Sequence, residues 1–393
     1  MRQLTFDLPY RYEDFLADTA YLQATYPTMF HAYQLGESHD GRDILVFQVG
    51  KGPIPIIITG GVHARETINP MVIMRLIESY LKLYTEIEPI IVDFGMASRL
   101  PPDDLTTRGK VKQRFTEMAE CTIGHSIRGG SPLEQPVIRS EAGNVLAEGT
   151  VPEELRFQSL EKAETIPAEY FIYNILNTFT FYIIPLLNPD GYEIALGGFD
   201  TIRNQELRKH AIAMGIPYEE WKANARGVDI NRNFPSVTWR PKFPGDHPAS
   251  ENETKALMYL FDQIPAVGYL DLHSRGKTIY YYKGSMSKEY NERQKFIADR
   301  LKAVTGYELM PPETEIEAMD SGGNTVHYFS EKYQQPAITI ETVTDLAPFP
   351  LDVRFQRPTF EEIYLAPLEF AIAIVEYQEE VKSSGGARVE QVV

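Results

Sequence analysis

"IPIIITGGVHARETINP", residues 54–70, predicts a strand, a tight turn and a helix in immediate succession. The apolar run that opens it is typical of a buried strand, two glycines turn the chain, and the closing Asn-Pro pair is a favourable helix start. His63 and Glu66 lie in the turn, three residues apart. A metal site and an ordinary polar loop both account for this pair, and the rest of the sequence has to separate them.

Strand-like runs alternate with helix-like segments along most of the chain, which predicts an α/β fold with a mainly parallel twisted sheet. Ser250 and Glu253 have the spacing of a capping box before one helix, and Ser287 and Gly306 fit the start and end of another. Besides residues 54–59, the predicted strands are 43–49 (DILVFQV), 178–187 (TFTFYIIPLL), 267–273 (VGYLDLH) and 337–341 (AITIE).

The composition excludes several classes of protein. The chain has 393 residues, of which 43% are hydrophobic, enough for a sizeable core. Its net charge of −17 argues against nucleic acid as a partner. The single cysteine, Cys121, excludes a disulfide within the chain and a cysteine-based zinc site. No run of about 18 apolar residues is present, so we expect no membrane span.

The organisation of the chain can also be predicted in outline. The N-terminus lacks the apolar segment of a signal peptide, so we expect a cytoplasmic protein, although a chain from which a leader had been removed would look the same. Residues 94–169 are polar, broken by Pro and Gly, and do not fit the alternation of strands and helices. We therefore predict a single catalytic domain over residues 1–381 with an insertion at about 94–169, and a disordered tail at 382–393. The oligomeric state is left open.

Three predicted strands deliver ionisable residues to their carboxyl ends, where ligands bind in parallel α/β sheets. These residues are His63, His273 and Glu341. Zinc sites in hydrolases take three protein ligands from His, Glu and Asp, so His63, Glu66 and His273 form a candidate ligand set. For His273 the alternative is a structural role, as a histidine in the core or at its rim whose hydrogen bonds are satisfied.

Glu341 and an Asn-Arg pair supply the remaining candidate chemistry. Burying a carboxylate at the end of a strand costs free energy, so such a residue is expected to be paired or to have a catalytic role. Near a metal-bound water it would act as a general base. The alternative for Glu341 is a structural salt bridge to an arginine. Asn231 and Arg232, in KANARGVDINRNFP, match a substrate carboxylate, although an ordinary turn with a surface arginine would look alike.

In this order, these pieces resemble the motifs of the zinc carboxypeptidase (metallocarboxypeptidase) family. The matching pieces are HARE, NPDGYE, GVDINRNF, LDLHS, SGG and TIE. The resemblance implies a mixed eight-stranded sheet flanked by helices, and one Zn²⁺ per chain held by His63, Glu66 and His273. It further implies that Asn231 and Arg232 hold the free C-terminal carboxylate of a peptide substrate, with the glutamate of TIE as the catalytic base.

The sequence departs from the family pattern at several positions. Lys222 stands where the family has an arginine that stabilises the oxyanion, and Arg226 is the alternative cation. Digestive members have a tyrosine three residues before SGG, where this chain has Ala318. Thr325, which falls in the family's specificity pocket, is uncharged and disfavours basic terminal residues, and His327 is a candidate for the pocket rim.

The segment WKANARGVDINRNFP is similar to the corresponding segment of the bacterial γ-D-glutamyl-diaminopimelate peptidase branch of the family, which cuts cell-wall peptides. The resemblance therefore implies a zinc-dependent exopeptidase that acts next to a free C-terminal carboxylate, with such peptides as the first substrate class. Two alternatives stay open: a zinc-dependent deacylase of N-acyl amino acids, and a non-catalytic peptide-binding relative. The complete ligand set and the presence of Glu341 favour an enzyme.

Overall fold

The structure, a computed structural model, describes residues 4–87, 138–139, 145–147, 168–317 and 322–383. In chain order its strands are β1 (Phe30–Glu37), β2 (Asp43–Gly50), β3 (Ile54–Thr59), β4 (Ile138–Arg139), β5 (Val145–Ala147), β6 (Phe179–Ile184), β7 (Tyr269–Ser274), β8 (Thr278–Tyr280), β9 (Glu308–Leu309) and β10 (Ala337–Thr342). Eight of them form a mixed, mostly parallel sheet in the order β1-β2-β6-β3-β7-β10-β8-β9, and β4 pairs with β5 separately.

Helices flank this sheet. No helix in the described ranges is long and apolar enough to cross a membrane. The helices are α1 (Tyr12–Thr25), α2 (Asn69–Ile87), α3 (Ala168–Thr178), α4 (Pro189–Gly197), α5 (Gln205–Ala213), α6 (Asn252–Gln263), α7 (Lys288–Thr305), α8 (Pro312–Glu317), α9 (Thr325–Tyr333), α10 (Gln356–Ile363) and α11 (Ala366–Ser383). Short 3₁₀ turns occur at Phe199–Thr201, Tyr218–Glu220, Ile230–Arg232 and Val353–Phe355.

The chain divides into two compact units, each built from segments that are distant in sequence. In the second unit, the Lys51 N–H donates to the carbonyl of Leu176 at 2.8 Å, and Tyr84 stacks on Tyr173. Most of the predicted insertion (94–169) and of the predicted tail (382–393) lies outside the described residues, so the single-domain organisation stays a prediction. The segments of the first unit are Met1–Val49, Ile54–Leu76 and Thr180–Tyr377, and those of the second are Gly50–Pro53, Ile77–Phe179 and Gln378–Val393.

The α/β fold class predicted from the sequence is confirmed. β3 has the predicted bounds, whereas β6 ends just before Pro185, which has no N–H to donate to a sheet. β7 pairs in parallel with both β3 and β10, so the carboxyl ends of these three strands share one edge. His273 and Glu341 lie one residue before the ends of β7 and β10, not at the ends as predicted.

The structure confirms one predicted helix cap and corrects another. Ser287 caps α7 with its side chain, and Gly306 ends that helix in the left-handed conformation, with a φ of 75°. The capping box predicted at Ser250 is wrong, because the Ser250 hydroxyl donates to Glu251 Oε1 at 2.7 Å. The N–H of Glu251 instead donates to Asn233 Oδ1 at 3.1 Å, so a side chain from another segment satisfies the backbone there.

Aromatic side chains pack α6 and α9 against β7. Phe261 of α6 and Phe329 of α9 both contact Tyr269, with ring centroids 4.9 and 5.3 Å from its own, and all three are buried. Burying a side chain of this size contributes roughly 1.5–3 kcal/mol. Because side chains alternate along a strand, Asp271 and His273 lie on the same face of β7 as Tyr269. This packing therefore also positions those two residues.

Asn188, the residue before α4, joins the segment before His63 to a second loop. Its side-chain NH₂ donates to the carbonyls of Val62 and Ala223, at 3.1 Å each. Its Oδ1 accepts from the N–H of Gly191 at 2.9 Å, which caps α4. Asn188 is fully buried, so every one of these bonds replaces a bond to water.

We expect Asn188→Ala to lower the free energy of unfolding by roughly 2–4 kcal/mol, because the buried Val62 carbonyl and the half-buried Ala223 carbonyl lose their donor. Urea unfolding would measure the change. Asn177→Ala is the matched control, since Asn177 is half-buried and donates only to Tyr173 within its own helix, at 2.7 Å. Equal losses in the two variants would contradict the joining role of Asn188.

Candidate metal centre

Two histidines and a glutamate converge at the carboxyl edge of the sheet. His63 and Glu66 lie in the turn after β3, His273 lies in β7, and all three are buried. His63 Nδ1 is 2.6 Å from Glu66 Oε1 and 3.1 Å from His273 Nδ1, and His273 Nδ1 is 3.4 Å from Glu66 Oε2. The three side chains thus form a group that could hold a metal ion.

The turn that carries His63 and Glu66 depends on glycine. Gly61 has a φ of 60°, and a Cβ there would lie 3.0 Å from the carbonyl oxygen of Pro185. Further along, the N–H of Glu66 donates to the carbonyl of His63 at 3.2 Å, and Asn69 Nδ2 donates to Glu66 Oε2 at 3.4 Å. These bonds keep both ligand side chains directed to the same group.

Each histidine presents Nδ1 to the group and Nε2 to a carboxylate outside it. His273 Nε2 lies 3.0 Å from Asp271 Oδ2, and His63 Nε2 lies 3.4 Å from Asp229 Oδ1. Carboxylates in this position fix the orientation and tautomer of metal-binding histidines. The two aspartates are not among the residues predicted from the sequence. The sequence could have indicated Asp271, because it lies two residues before His273 in a predicted strand and therefore shares the same face.

Asp271 is fully buried and keeps its charge because of its neighbours. Thr59 of β3 and Thr325 of α9 donate hydroxyl hydrogen bonds to its two oxygens. Burial opposes ionisation, but His273 and the two hydroxyls outweigh it, so the pKa of Asp271 lies below its usual value. An ionised Asp271 in turn makes His273 a more basic ligand.

The electrostatics of the group favour a bound cation. Burial opposes ionisation of Glu66, but His63 and His273 outweigh it and hold its pKa at about 2. In the same way Asp271 and Glu66 overcome burial and keep the pKa of His273 well above its usual value. Two imidazole nitrogens and one carboxylate are a donor set of catalytic zinc, whose bonds are about 2.0–2.2 Å long. The residues therefore fit a zinc ion.

Glu341 lies beside this group on the neighbouring strand. It is paired in register with His273 across β7 and β10. Its Oε2 is buried and has no hydrogen-bond partner among the described residues, and no arginine in those residues pairs with it. Burial raises the pKa of Glu341 to about 8, and the carboxylates of Glu66 and Asp271 add to the effect. A divalent cation in the group would favour the ionised form.

Of the two cations predicted to face the oxyanion, the structure brings only Lys222 toward the histidines. Lys222 Nζ is 2.9 Å from Asp229 Oδ2, and the other oxygen of that carboxylate faces His63. Arg226 instead pairs with Glu251 Oε1 at 3.3 Å. The position of Arg226 therefore offers no support for the oxyanion role.

Asn231 and Arg232 lie together in the 3₁₀ turn that follows Asp229. Asn231 Oδ1 accepts from the N–H of Thr325 at 3.0 Å, which leaves the side-chain NH₂ as a donor. Arg232 donates to the carbonyl of Asn231 at 2.7 Å. Within the part of the chain that the structure covers, no carboxylate pairs with Arg232. Its guanidinium group thus keeps donors and charge for an external anion.

Thr325 and His327, predicted to contact the substrate side chain, lie in the first turn of α9 and are buried. The Thr325 hydroxyl donates to Asp271, so its polar group supports His273, the candidate metal ligand of β7. The N–H of His327 donates to Asn324 Oδ1, the helix cap, at 2.8 Å. The part of either residue in substrate binding stays a prediction, and Ala318 lies outside the described residues.

Comparison with known proteins identifies relatives of this site and fold. A family model described as zinc carboxypeptidase matches residues 15–94 and 168–346. The uncharacterized protein YqgT of Bacillus subtilis is 32% identical over 155 residues, which is 34% of this chain and 41% of that protein. The γ-D-glutamyl-L-diamino acid endopeptidase 1 of Lysinibacillus sphaericus is 26% identical over 214 residues, 51% of this chain and 50% of its own length. The chain thus spans at most about half the length of these curated relatives.

A solved structure of thrombin-activatable fibrinolysis inhibitor has a similar fold. Its TM-score is 0.62, with 16% sequence identity over 96% of this chain and 77% of the other. At this level of identity the similarity concerns the fold alone.

We expect Asp271→Asn to weaken the affinity for zinc about 10- to 100-fold, because His273 loses the carboxylate that orients it and raises its basicity. Competition with a coloured chelator would measure the affinity. Asp262→Asn is the control, since Asp262 pairs with Lys332 on the surface, away from both histidines. If both variants bind zinc as the unmodified protein does, Asp271 has no part in orienting the ligand.

Proposed function

Because the chain belongs to the zinc carboxypeptidase family, we propose that it is a zinc-dependent exopeptidase that hydrolyses the peptide bond next to a free C-terminal carboxylate. The proposal depends above all on the buried Glu341 oxygen, which has no partner among the described residues and belongs to the strand beside His273. A buried carboxylate of this kind costs free energy, and such groups are concentrated at functional sites.

The catalytic zinc ion would be held by His63, Glu66 and His273, with one catalytic ion per chain. When bound, zinc polarises the scissile carbonyl and lowers the pKa of water. Asp229 and Asp271 orient the two imidazole rings and increase the basicity of the nitrogens that face the group. All five side chains come from the turn after β3, the end of β7 and the segment before the 3₁₀ turn.

Glu341 would act as the general base. It takes a proton from the attacking water and later delivers that proton to the nitrogen of the leaving amine. The first step needs the ionised carboxylate, which a nearby cation favours. Lys222 would supply positive charge to the oxygen of the carbonyl as the water adds to it. Its side chain is about a third exposed, so it can reach a substrate.

Asn231 and Arg232 would bind the terminal carboxylate of the substrate, which makes the enzyme an exopeptidase. Arg232 offers a planar fork of donors that matches a carboxylate, and Asn231 adds its side-chain NH₂. An internal stretch of a longer peptide carries no carboxylate at this position. Such a peptide would leave the guanidinium charge of Arg232 without its partner.

As substrate we propose a γ-D-glutamyl-diaminopimelate peptide from the bacterial cell wall. Support comes from the similarity to a relative named γ-D-glutamyl-L-diamino acid endopeptidase 1, half of which the chain matches. The uncharged Thr325 disfavours basic terminal residues, and His327 would provide a polar contact at the rim. The intact ligand group and Glu341 count against a non-catalytic relative, and no contact among the described residues favours a deacylase of N-acyl amino acids.

We expect Glu341→Gln to retain zinc and to lower kcat by about 10²- to 10⁴-fold, because the amide is nearly isosteric but cannot accept the proton of the water. Zinc content and turnover would be measured on the same preparation. Glu292→Gln, on the exposed face of α7, is the control and should leave both unchanged. Turnover near the unmodified rate in Glu341→Gln would show that another group is the base.

The substrate proposal is tested by assaying a γ-D-glutamyl-diaminopimelate tripeptide, ordinary peptides with varied C-terminal residues, their C-terminal amides and an N-acyl amino acid. We expect the free acids to be cleaved and the amides to be spared. In Arg232→Ala this preference should shrink by about two to three orders of magnitude, since a charge-assisted contact to a carboxylate is worth roughly 2–5 kcal/mol. Arg240→Ala, on the exposed part of the next loop, should keep the preference.

Each contrary outcome of this assay has a distinct meaning. An unchanged acid-to-amide ratio in Arg232→Ala would contradict the exopeptidase proposal. Cleavage of ordinary peptides with the tripeptide untouched would replace the cell-wall substrate by a general carboxypeptidase activity. Hydrolysis of the N-acyl amino acid alone would favour the deacylase.

A further inference from the structure

A second group of potential metal ligands involves none of the residues discussed for catalysis. His39, in the turn between β1 and β2, meets Glu251 and Glu253 at the start of α6, and one ligand atom from each lies within 4.8 Å of the others. Both glutamates are fully buried, and the His39 side chain is 17% exposed. We propose that this group binds a divalent metal ion of the zinc type, as a structural site separate from the catalytic one.

The first argument is an unsatisfied oxygen. Glu253 Oε1 is buried and has no hydrogen-bond partner among the described residues. The other oxygen, Oε2, accepts from Asn224 Nδ2 at 3.1 Å, and the same amide donates to Glu251 Oε2 at 2.7 Å. A single NH₂ group thus serves two buried carboxylates, and one oxygen of Glu253 stays without a donor. A bound cation would satisfy that oxygen.

The second argument concerns the ring nitrogen Nε2 of His39. His39 Nε2 lies 3.1 Å from Glu251 Oε2 and 3.4 Å from the backbone N–H of Asn252. One nitrogen cannot donate to the carboxylate and accept from the N–H at the same time. Nε2 therefore serves only one of these two groups, and with the ring proton on Nδ1 its lone pair is the one that a cation beside Glu251 Oε2 would bind.

The third argument is the charge around the group. Arg42 contacts both Asp40 and Asp190, at 2.8 Å each, and Arg226, whose side chain is 44% exposed, pairs with Glu251 at 3.3 Å. Counting the two glutamates, there are four carboxylates and two guanidinium groups, an excess of two negative charges. The excess equals the charge of one divalent ion. The carboxylates are Asp40, Asp190, Glu251 and Glu253.

An imidazole nitrogen and carboxylate oxygens are ligand types that Zn²⁺ accepts, whereas Ca²⁺ and Mg²⁺ prefer oxygen ligands only. The ion would join two segments of the first unit, the β1–β2 turn and the start of α6, and the Asn224 amide ties a third segment, the loop around it, to both glutamates. That loop also carries Lys222, Asn231 and Arg232. A metal here would therefore stabilise the loop that we assign to substrate binding, without touching substrate itself.

The test measures zinc content and thermal unfolding, and its outcome does not depend on peptidase activity. Metal-depleted full-length protein is dialysed against buffered Zn²⁺, and bound zinc is determined by mass spectrometry. We expect the unmodified protein to take up a second equivalent of zinc, and His39→Ala and Glu253→Gln to take up one fewer than the unmodified protein. His31→Ala, on β1 beside Tyr33, is the matched control and should bind as the unmodified protein does. In His273→Ala, which lacks a catalytic ligand, zinc should still raise the unfolding temperature.

Thermal unfolding of Glu253→Gln separates metal binding from simple structural damage. In the presence of a chelator this variant should unfold at the same or a higher temperature than the unmodified protein, because a neutral amide buries no charge. Added Zn²⁺ should then raise its unfolding temperature less than that of the unmodified protein, since the second site is lost. A single zinc equivalent in the unmodified protein, removed completely by His273→Ala, would overturn the proposal and leave Glu253 as a protonated acid. Equal zinc uptake in His39→Ala, Glu253→Gln and the unmodified protein would overturn it as well.

Discussion

Burying the carboxylate of Asp271 obliges three elements of the fold to meet at one point. A buried charge is costly unless it is fully hydrogen-bonded, and the donors here come from β3 (Thr59), α9 (Thr325) and β7 (His273). Two of these elements also position other candidate site residues. β3 leads into the turn that carries His63, and α9 begins beside Asn231 and Arg232. The requirement to satisfy one carboxylate thus sets the positions of several candidate site residues at once.

The loop between residues 222 and 233 is positioned by side chain to backbone hydrogen bonds, and no helix or strand longer than one 3₁₀ turn occurs in it. Asn224 Oδ1 accepts from the N–H groups of Arg226 and Val228, and Asp229 Oδ1 accepts from the N–H of Asn231. Asn and Asp are favoured in turns because their short side chains make such local bonds. One irregular loop can therefore hold Lys222, Asn231 and Arg232, the residues proposed to contact the substrate, in fixed relative positions.

The amino-acid pattern alone was sufficient for the fold and for expecting His63, Glu66 and His273 to lie together, and the reason is physical. Apolar runs and their breaks mark strands locally, and parallel strands bring their carboxyl ends to one edge, so His63 and His273 are expected to meet there. The choice between Lys222 and Arg226 could not be made in this way. They are four residues apart in an irregular loop, and only its tertiary path shows that Arg226 turns to Glu251.

Hydrogen-bond partners that come from distant segments could likewise not be predicted from the sequence. The carboxylate of Asp229 and the displaced cap at Ser250 depend on which segment arrives opposite them in space, and local spacing carries no information about that. The capping-box pattern at Ser250 was wrong because Asn233, from the preceding loop, satisfies the backbone N–H of Glu251. Sequence rules for helix caps hold where the side chain that bonds to the backbone is close in sequence. They fail where a buried polar side chain from another segment makes that bond instead.

The hydrogen bond from Thr325 to Asp271 has a consequence for substitutions at position 325. The family resemblance predicts that Thr325 contributes to the specificity pocket, where a substitution would change the substrate preference. In this chain the same side chain completes the hydrogen bonds of the carboxylate behind His273. A substitution at position 325 would therefore also perturb the hydrogen bonds that support His273, a candidate metal ligand. We expect the effects of substitutions at positions 325 and 271 to be non-additive, because the two side chains share this hydrogen bond.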